Sequence, residues 1–61
     1  LGFNEYVTLL RLHKAEEMIV NEPDKTISDI AFECGFNDGN YFSYKFKKQY
    51  GVSPIKLRNN K

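Results

Sequence analysis

The sequence predicts an all-α fold of three helices followed by a short fourth. Helix-forming residues without Gly or Pro fill residues 4–21, apolar residues recur at helical spacing in the middle of the chain, and capping residues and glycines separate the segments. No stretch alternates polar and apolar residues as a strand does. The 61 residues allow one small domain, whose core is too small to surround a large enzyme cavity.

The first helix is expected from about Asn4 to Asn21, because Pro23 biases its predecessor away from helical backbone. At about 100° per residue, its apolar residues nearly encircle the axis, and such a helix is buried on most sides. These residues are Tyr6, Val7, Leu9, Leu10, Leu12, Ala15, Met18, Ile19 and Val20. The rest of the chain can cover one flank, so another flank is expected to meet a partner or sequence missing here.

The second helix is expected to begin after Thr26, whose hydroxyl can cap the first turn, with Asp29 three residues on as in a capping box. Apolar residues at i, i+3, i+4 and i+7 form one face: Ile27, Ile30, Ala31 and Cys34. Gly35 is suited to the left-handed position that ends a helix. Phe36 is then expected to enter the core.

The third helix is expected from Asp38, a strong N-cap, to about Tyr50, before Gly51. Phe42 and Phe46 form an inward i, i+4 pair. A polar stripe lies on the opposite side, and it is the candidate working surface: Asn40, Ser43, Tyr44 and Lys47. Ser53-Pro54 is typical of the start of a short last helix that carries Ile55, Lys56, Leu57 and Arg58.

Charge is divided unevenly along the chain. Residues 1–43 hold three basic residues against eight acidic ones, a net charge of −5, whereas residues 44–61 hold six basic residues and no acidic one, a net charge of +6. This basic end, residues 44–61, is either a surface that meets a polyanion or a solvated tail.

Several functional classes have no support in the residues. A single cysteine, Cys34, and a single histidine, His13, exclude an internal disulfide and a zinc site, and we expect a packed thiol and a surface imidazole. The sequence has no nucleophile-base set and no phosphate-binding Gly loop, so neither an enzyme nor a cofactor is expected. No apolar run approaches the roughly 18 residues of a membrane span, and a cytoplasmic protein is expected.

Two helices of about eight and twelve residues, joined by a Gly-containing turn, have the proportions of a helix-turn-helix. The stretch ISDIAFECGFNDGNYFSYKFKKQYGVSP, residues 27–54, resembles the second helix-turn-helix of the AraC/XylS-type bacterial transcription regulators. Their signature is close to I-x-x-I-A-x-x-x-G-F-x-[SD]-x-x-Y-F-x-R-x-F-K-K-x-x-G-x-[ST]-P. The first helix resembles their linker helix, Y-x4-R-[LIM]-x2-A-x2-[LM]-[LI], at Tyr6, Arg11, Leu12, Ala15, Met18 and Ile19.

The resemblance implies a homeodomain-like three-helix arrangement with residues 1–22 as linker helix and residues 23–61 as second helix-turn-helix subdomain. It implies that a first helix-turn-helix and an effector or receiver domain belong to the same protein and are missing here. The expected function is sequence-specific binding of double-stranded promoter DNA, with the recognition helix, about Gly39 to Tyr50, in the major groove. The alternative is a helical protein-protein interaction module that uses the apolar first helix, through which the chain could also self-associate.

By the same resemblance, base contacts are expected near the start of the recognition helix, at Gly39, Asn40, Ser43 and Tyr44. Phosphate contacts are expected from Arg11, Lys47 and Lys48. For Arg11 a salt bridge to Glu5 or Glu16 is the alternative, and for Gly39 a role in starting the helix. Tyr44 departs from the family, which has Arg there: a tyrosine can donate one hydrogen bond or pack on a thymine methyl, but it cannot make the bidentate guanine contact.

Overall fold

A computed structural model describes residues 2–59 of the chain, and these residues form four helices and no strand. The helices are α1 (Phe3–Asn21), α2 (Ile27–Glu33), α3 (Gly39–Tyr50) and α4 (Pro54–Asn59). The prediction of an all-α fold is confirmed. Leu1, Asn60 and Lys61 lie outside the described residues. The first residue of the predicted segment 1–22, the last two residues of the predicted segment 23–61 and the Lys61 charge of the basic end therefore lie outside them too.

Three of the helices begin at a side-chain cap, as the sequence predicts. The Thr26 hydroxyl accepts a hydrogen bond from the Asp29 N–H at 3.0 Å, the Asp38 carboxylate accepts one from Asn40 N–H at 2.9 Å, and the Ser53 hydroxyl accepts one from Lys56 N–H at 3.1 Å. Each bond satisfies a backbone donor that the first helical turn leaves free. The starts of α2, α3 and α4 are thus fixed locally.

The turn between α2 and α3 depends on Gly35, whose φ of 97° is left-handed. The Gly35 N–H donates to Phe32 O at 3.1 Å and the Phe36 N–H donates to Ala31 O at 2.9 Å, which is the bond pattern of a Schellman motif. The reversal directs the Phe36 side chain into the core, where its ring centroid lies 5.0 Å from that of Phe42.

The core lies where α1, α2 and α3 meet. Phe42 and Phe46 are fully buried and stack along α3, with ring centroids 5.7 Å apart, and Tyr50 continues the row at 4.6 Å from Phe46. The other buried apolar residues are Leu12, Ala15, Met18, Ile19, Ile30, Ala31, Cys34 and Phe36. The Cys34 sulfur lies 3.7 Å from the Met18 sulfur, and burial raises the pKa of this thiol. Cys34 is therefore a packed apolar residue, as expected.

Arg58 joins α4 to the loop between α1 and α2. Its guanidinium donates to the carbonyl oxygens of Lys25 at 2.6 Å and Glu22 at 3.3 Å. Beside it, the Lys25 ammonium pairs with the Glu33 carboxylate at 2.7 Å and the Glu22 carboxylate at 3.3 Å. The hydrogen bond to Glu33 raises the pKa of Lys25. Within the basic end, Arg58 is therefore bonded to backbone carbonyls and is not part of a freely solvated tail.

One flank of α1 stays exposed, as its all-round apolar sequence predicts. The helix buries Leu12 and its neighbours against α2 and α4, whereas Phe3, Tyr6 and Leu10 are 79%, 55% and 53% exposed. Val7 is half-buried between the two sides.

Within residues 2–59, no helix combines the length and the apolar character that crossing a membrane requires.

Candidate nucleic-acid interface

The outward face of α3 carries polar side chains above a fully buried inner face. Asn40, Tyr44, Lys47 and Lys48 are exposed, Tyr44 to 60%, and Ser43 is half-buried at the edge. Phe42 and Phe46 hold the opposite side in the core at 0% exposure, which fixes the rotation of the helix about its axis. The structure therefore brings the polar stripe of the sequence together on one surface.

The first turn of α3 leaves side-chain groups free. The Asp38 carboxylate accepts a hydrogen bond from the Asn40 backbone N–H, but the Asn40 side-chain amide has no hydrogen-bond partner in the described part of the chain. It therefore retains a donor and an acceptor side by side. A Cβ added to Gly39 would meet no atom within 4 Å, and its φ is not positive. Nothing in the fold of residues 2–59 thus requires glycine at this position.

Arg11 reaches the helix-turn-helix from α1. Its side chain crosses Gly35 so closely that a Cβ there would lie 3.1 Å from Nε and 3.2 Å from Cζ. An open cleft of about 550 Å³ lies in front of this contact and also borders Asp38 at the start of α3. Among the described residues, Arg11 pairs with neither Glu5 nor Glu16, and the Glu16 carboxylate lies 3.8 Å from the exposed His13 ring. The salt-bridge alternative for Arg11 is therefore not the arrangement found.

Lys48 lies against Tyr44 on the outward face. Its ammonium is 5.7 Å from the centroid of the Tyr44 ring, within the range of a cation–π interaction. Lys47 makes no such contact in the structure described, although it is exposed as well. This pair is not among the contacts expected from the sequence. Its only signal is the i, i+4 spacing that places the two side chains next to each other on a helix.

The described residues contain no group of three or more His, Cys, Asp or Glu side chains that could hold a metal ion.

A family model described as "Helix-turn-helix domain" matches residues 1–60, nearly the whole chain. The chain belongs to this helix-turn-helix family, in its AraC/XylS-type branch. It is thus a DNA-binding helix-turn-helix module. The predicted resemblance is confirmed, and it covers α1 as well as the helix-turn-helix formed by α2 and α3.

Curated relatives of this helix-turn-helix module are bacterial regulators. "HTH-type transcriptional activator RhaS" of Mannheimia succiniciproducens is 47% identical over 53 residues, which are 87% of this chain and 19% of that protein. "Transcriptional activator RhrA" of Rhizobium meliloti is 46% identical over 57 residues, 92% of this chain and 18% of that protein. The chain thus spans about a fifth of the length of the relatives it matches. No solved structure shows significant similarity to it.

Proposed function

We propose that this helix-turn-helix module binds one specific promoter site by inserting α3 (Gly39–Tyr50) into the major groove. The observation that carries the proposal is the outward face of α3, where exposed polar side chains with free hydrogen-bonding groups stand opposite a fully buried Phe42-Phe46 face. A DNA major groove admits an α-helix and presents a distinct pattern of donors and acceptors at each base pair. A rigidly seated helix with unpaired polar groups is suited to reading that pattern.

Contacts to base edges are assigned to residues in the first half of α3. The free amide of Asn40 matches the paired donor and acceptor of adenine, and Ser43 can bond to several bases. Tyr44 offers its hydroxyl or packs on a thymine methyl in place of the family's arginine. Gly39, which has open space at its Cβ position, allows the groove wall to approach the backbone closely.

Contacts to phosphates are assigned to three basic side chains, two that follow this half of α3 and one that approaches from α1. Lys47 and Lys48 follow on α3 itself, both exposed. Arg11 approaches from α1 across Gly35, and its guanidinium can bind phosphate oxygens in a bidentate manner. Such contacts fix the position of a protein on the duplex and carry no sequence information.

In the larger protein, residues 1–22 would serve as the linker from a first helix-turn-helix, and residues 23–61 as the second. The relatives RhaS and RhrA are named transcriptional activators. The corresponding role for the whole protein is activation of transcription from a promoter in the cytoplasm, controlled by an effector or receiver domain.

Two substitutions separate base reading from phosphate contact. From a pool of duplexes with a randomised centre, the preferred site is selected and each of its base pairs is varied. Asn40→Ala is expected to cost about 1 to 3 kcal/mol at one base position and to relax the preference there, whereas Lys47→Ala should weaken all variants alike. Lys56→Ala, which removes an exposed charge from α4, is the control for Lys47. An equal loss on every variant for Asn40→Ala would show that this residue does not read a base.

The exposed flank of α1, with Phe3, Tyr6 and Leu10, supports a second candidate, docking of an apolar protein surface. The dependence on salt distinguishes the two. DNA binding falls steeply between about 50 and 200 mM salt, whereas apolar docking is nearly insensitive to it.

A further inference from the structure

The outward face of α3 carries two adjacent lysines in different surroundings. The Lys48 ammonium lies 5.7 Å from the centroid of the Tyr44 ring. Lys47 is preceded by Ser43 at the corresponding i−4 position, and Ser43 has no ring to offer. Neither lysine forms an ion pair within residues 2–59. The two side chains are both exposed lysines, and they differ in that only Lys48 lies against an aromatic ring.

The face of an aromatic ring is the negative part of its quadrupole and attracts an ammonium group. Helical side chains lean toward the N-terminus, so a lysine at i+4 naturally extends back over a ring at position i. Tyr44 is 60% exposed and its ring is not part of the row that links Phe36, Phe42, Phe46 and Tyr50. Its ring is thus available to Lys48 instead of to the core.

We propose that Tyr44 is a positioning residue for Lys48, whose ammonium it holds over the outward face of α3, ready to meet a DNA phosphate. The inference rests on the proposed function, because it takes DNA as the ligand. A lysine loses rotamer freedom when it is fixed at an interface, and a side chain that is already held loses less. Tyr44 therefore has two separable parts: the ring supports Lys48, and the hydroxyl remains available to a base.

A double-mutant cycle on DNA affinity tests the pairing. The probe is a mixed-sequence duplex of about 20 base pairs, which registers phosphate contacts without base preference. Tyr44→Phe keeps the ring and removes the hydroxyl, so it is the reference for the ring, and any loss it shows against the unsubstituted chain belongs to the hydroxyl. Tyr44→Leu also removes the ring and should bind about two- to fivefold more weakly than Tyr44→Phe, as the loss of an exposed cation–π contact predicts.

The second half of the cycle removes the charge. Lys48→Ala should weaken binding and lower the slope of log K against log salt by about 0.9. When Lys48→Ala is present, Tyr44→Leu and Tyr44→Phe should then bind the duplex equally, because the ring no longer has an ammonium to hold. The matched control is Lys47→Ala, in which Tyr44→Leu should retain its full two- to fivefold effect against Tyr44→Phe.

Two results would overturn the inference while DNA binding stands: the effect of Tyr44→Leu against Tyr44→Phe multiplies with that of Lys48→Ala in the double variant, or Tyr44→Phe is as weak as Tyr44→Leu. If the unsubstituted chain shows no salt-dependent binding to the duplex, the proposed function fails and this inference fails with it. A measurement without DNA checks the geometry. The methylene protons next to the Lys48 ammonium should show an upfield ring-current shift in NMR spectra that Tyr44→Phe retains and Tyr44→Leu removes, and its absence from the unsubstituted chain would contradict the pairing.

Discussion

Replacing Gly35 with alanine tests the turn that places α3. Its φ of 97° is a conformation that side chains with a Cβ rarely adopt, and holding alanine there costs about 1 to 3 kcal/mol. The new Cβ would also lie 3.1 Å from Nε of Arg11, but this exposed side chain can move by the few tenths of an ångström required. Backbone strain should therefore dominate. A chain of this length has a total stability of only about 3 to 9 kcal/mol, so the loss is large.

Urea and thermal unfolding followed by circular dichroism measure this effect. The midpoint temperature should fall by about 4 to 8 °C for each kcal/mol lost. Gly51→Ala is the matched control, because Gly51 has a similar φ of 81° and no atom within 4 Å of an added Cβ. A change below about 0.5 kcal/mol for Gly35→Ala, within the scatter of surface substitutions, would refute the strain argument. A loss at Gly35 that Arg11→Ala restores, with Gly51→Ala neutral, would instead identify the steric contact as the cause.

Three further predictions concern Arg58, the buried thiol of Cys34 and the exposed flank of α1. Arg58→Met should lower the free energy of unfolding by about 1 to 3 kcal/mol, because two hydrogen bonds are lost, whereas the control Lys56→Met should be near neutral. The DNA affinity of the folded Arg58→Met molecule should be unchanged. A loss of affinity at equal folding would contradict the structural role. Burial raises the pKa of Cys34 above its ordinary 9.0, so the thiol of the unfolded chain releases its proton at a lower pH than that of the folded chain. The free energy of unfolding should therefore fall as pH rises past about 9, and it should fall less in Cys34→Ser. A stability independent of pH in this range would be inconsistent with the buried thiol. In sedimentation, Leu10→Glu should abolish any self-association of the chain and keep its helicity, and an association unaffected by this charge would rule out the α1 flank as its surface.

The sequence predicted the parts of the fold that local interactions determine. Thr26, Asp38 and Ser53 cap their helices within three residues of their own positions, and Gly35 supplies a backbone conformation that few other residues tolerate. Helical spacing likewise assigned Phe42 to the core and thereby oriented the outward face of α3. Each of these signals lies within one turn of helix.

Interactions between distant segments were not predictable in this way. Arg58 bonds to backbone oxygens 33 and 36 residues earlier, and it resembles any other basic residue of the basic end until the fold brings α4 to that loop. The pair of Lys25 and Glu33 spans a helix start, so no helical spacing indicates it. The net charge of +6 counted for residues 44–61 therefore includes Arg58, whose guanidinium is already bonded to backbone carbonyls. Which base each side chain of α3 meets remains a prediction, since it depends on the docking angle on DNA.

An NMR titration of the isotope-labelled chain with its selected duplex, followed at each backbone amide, tests directly whether α3 enters the DNA groove. The largest shifts should occur along the outward face of α3, around Asn40, Tyr44 and Lys47, and beside Arg11, and they should weaken as salt increases. The amides around Tyr6 and Leu10 on the exposed flank of α1 should change little. Shifts confined to that flank, or no shifts on α3 at low salt, would contradict the claim that α3 enters the DNA groove.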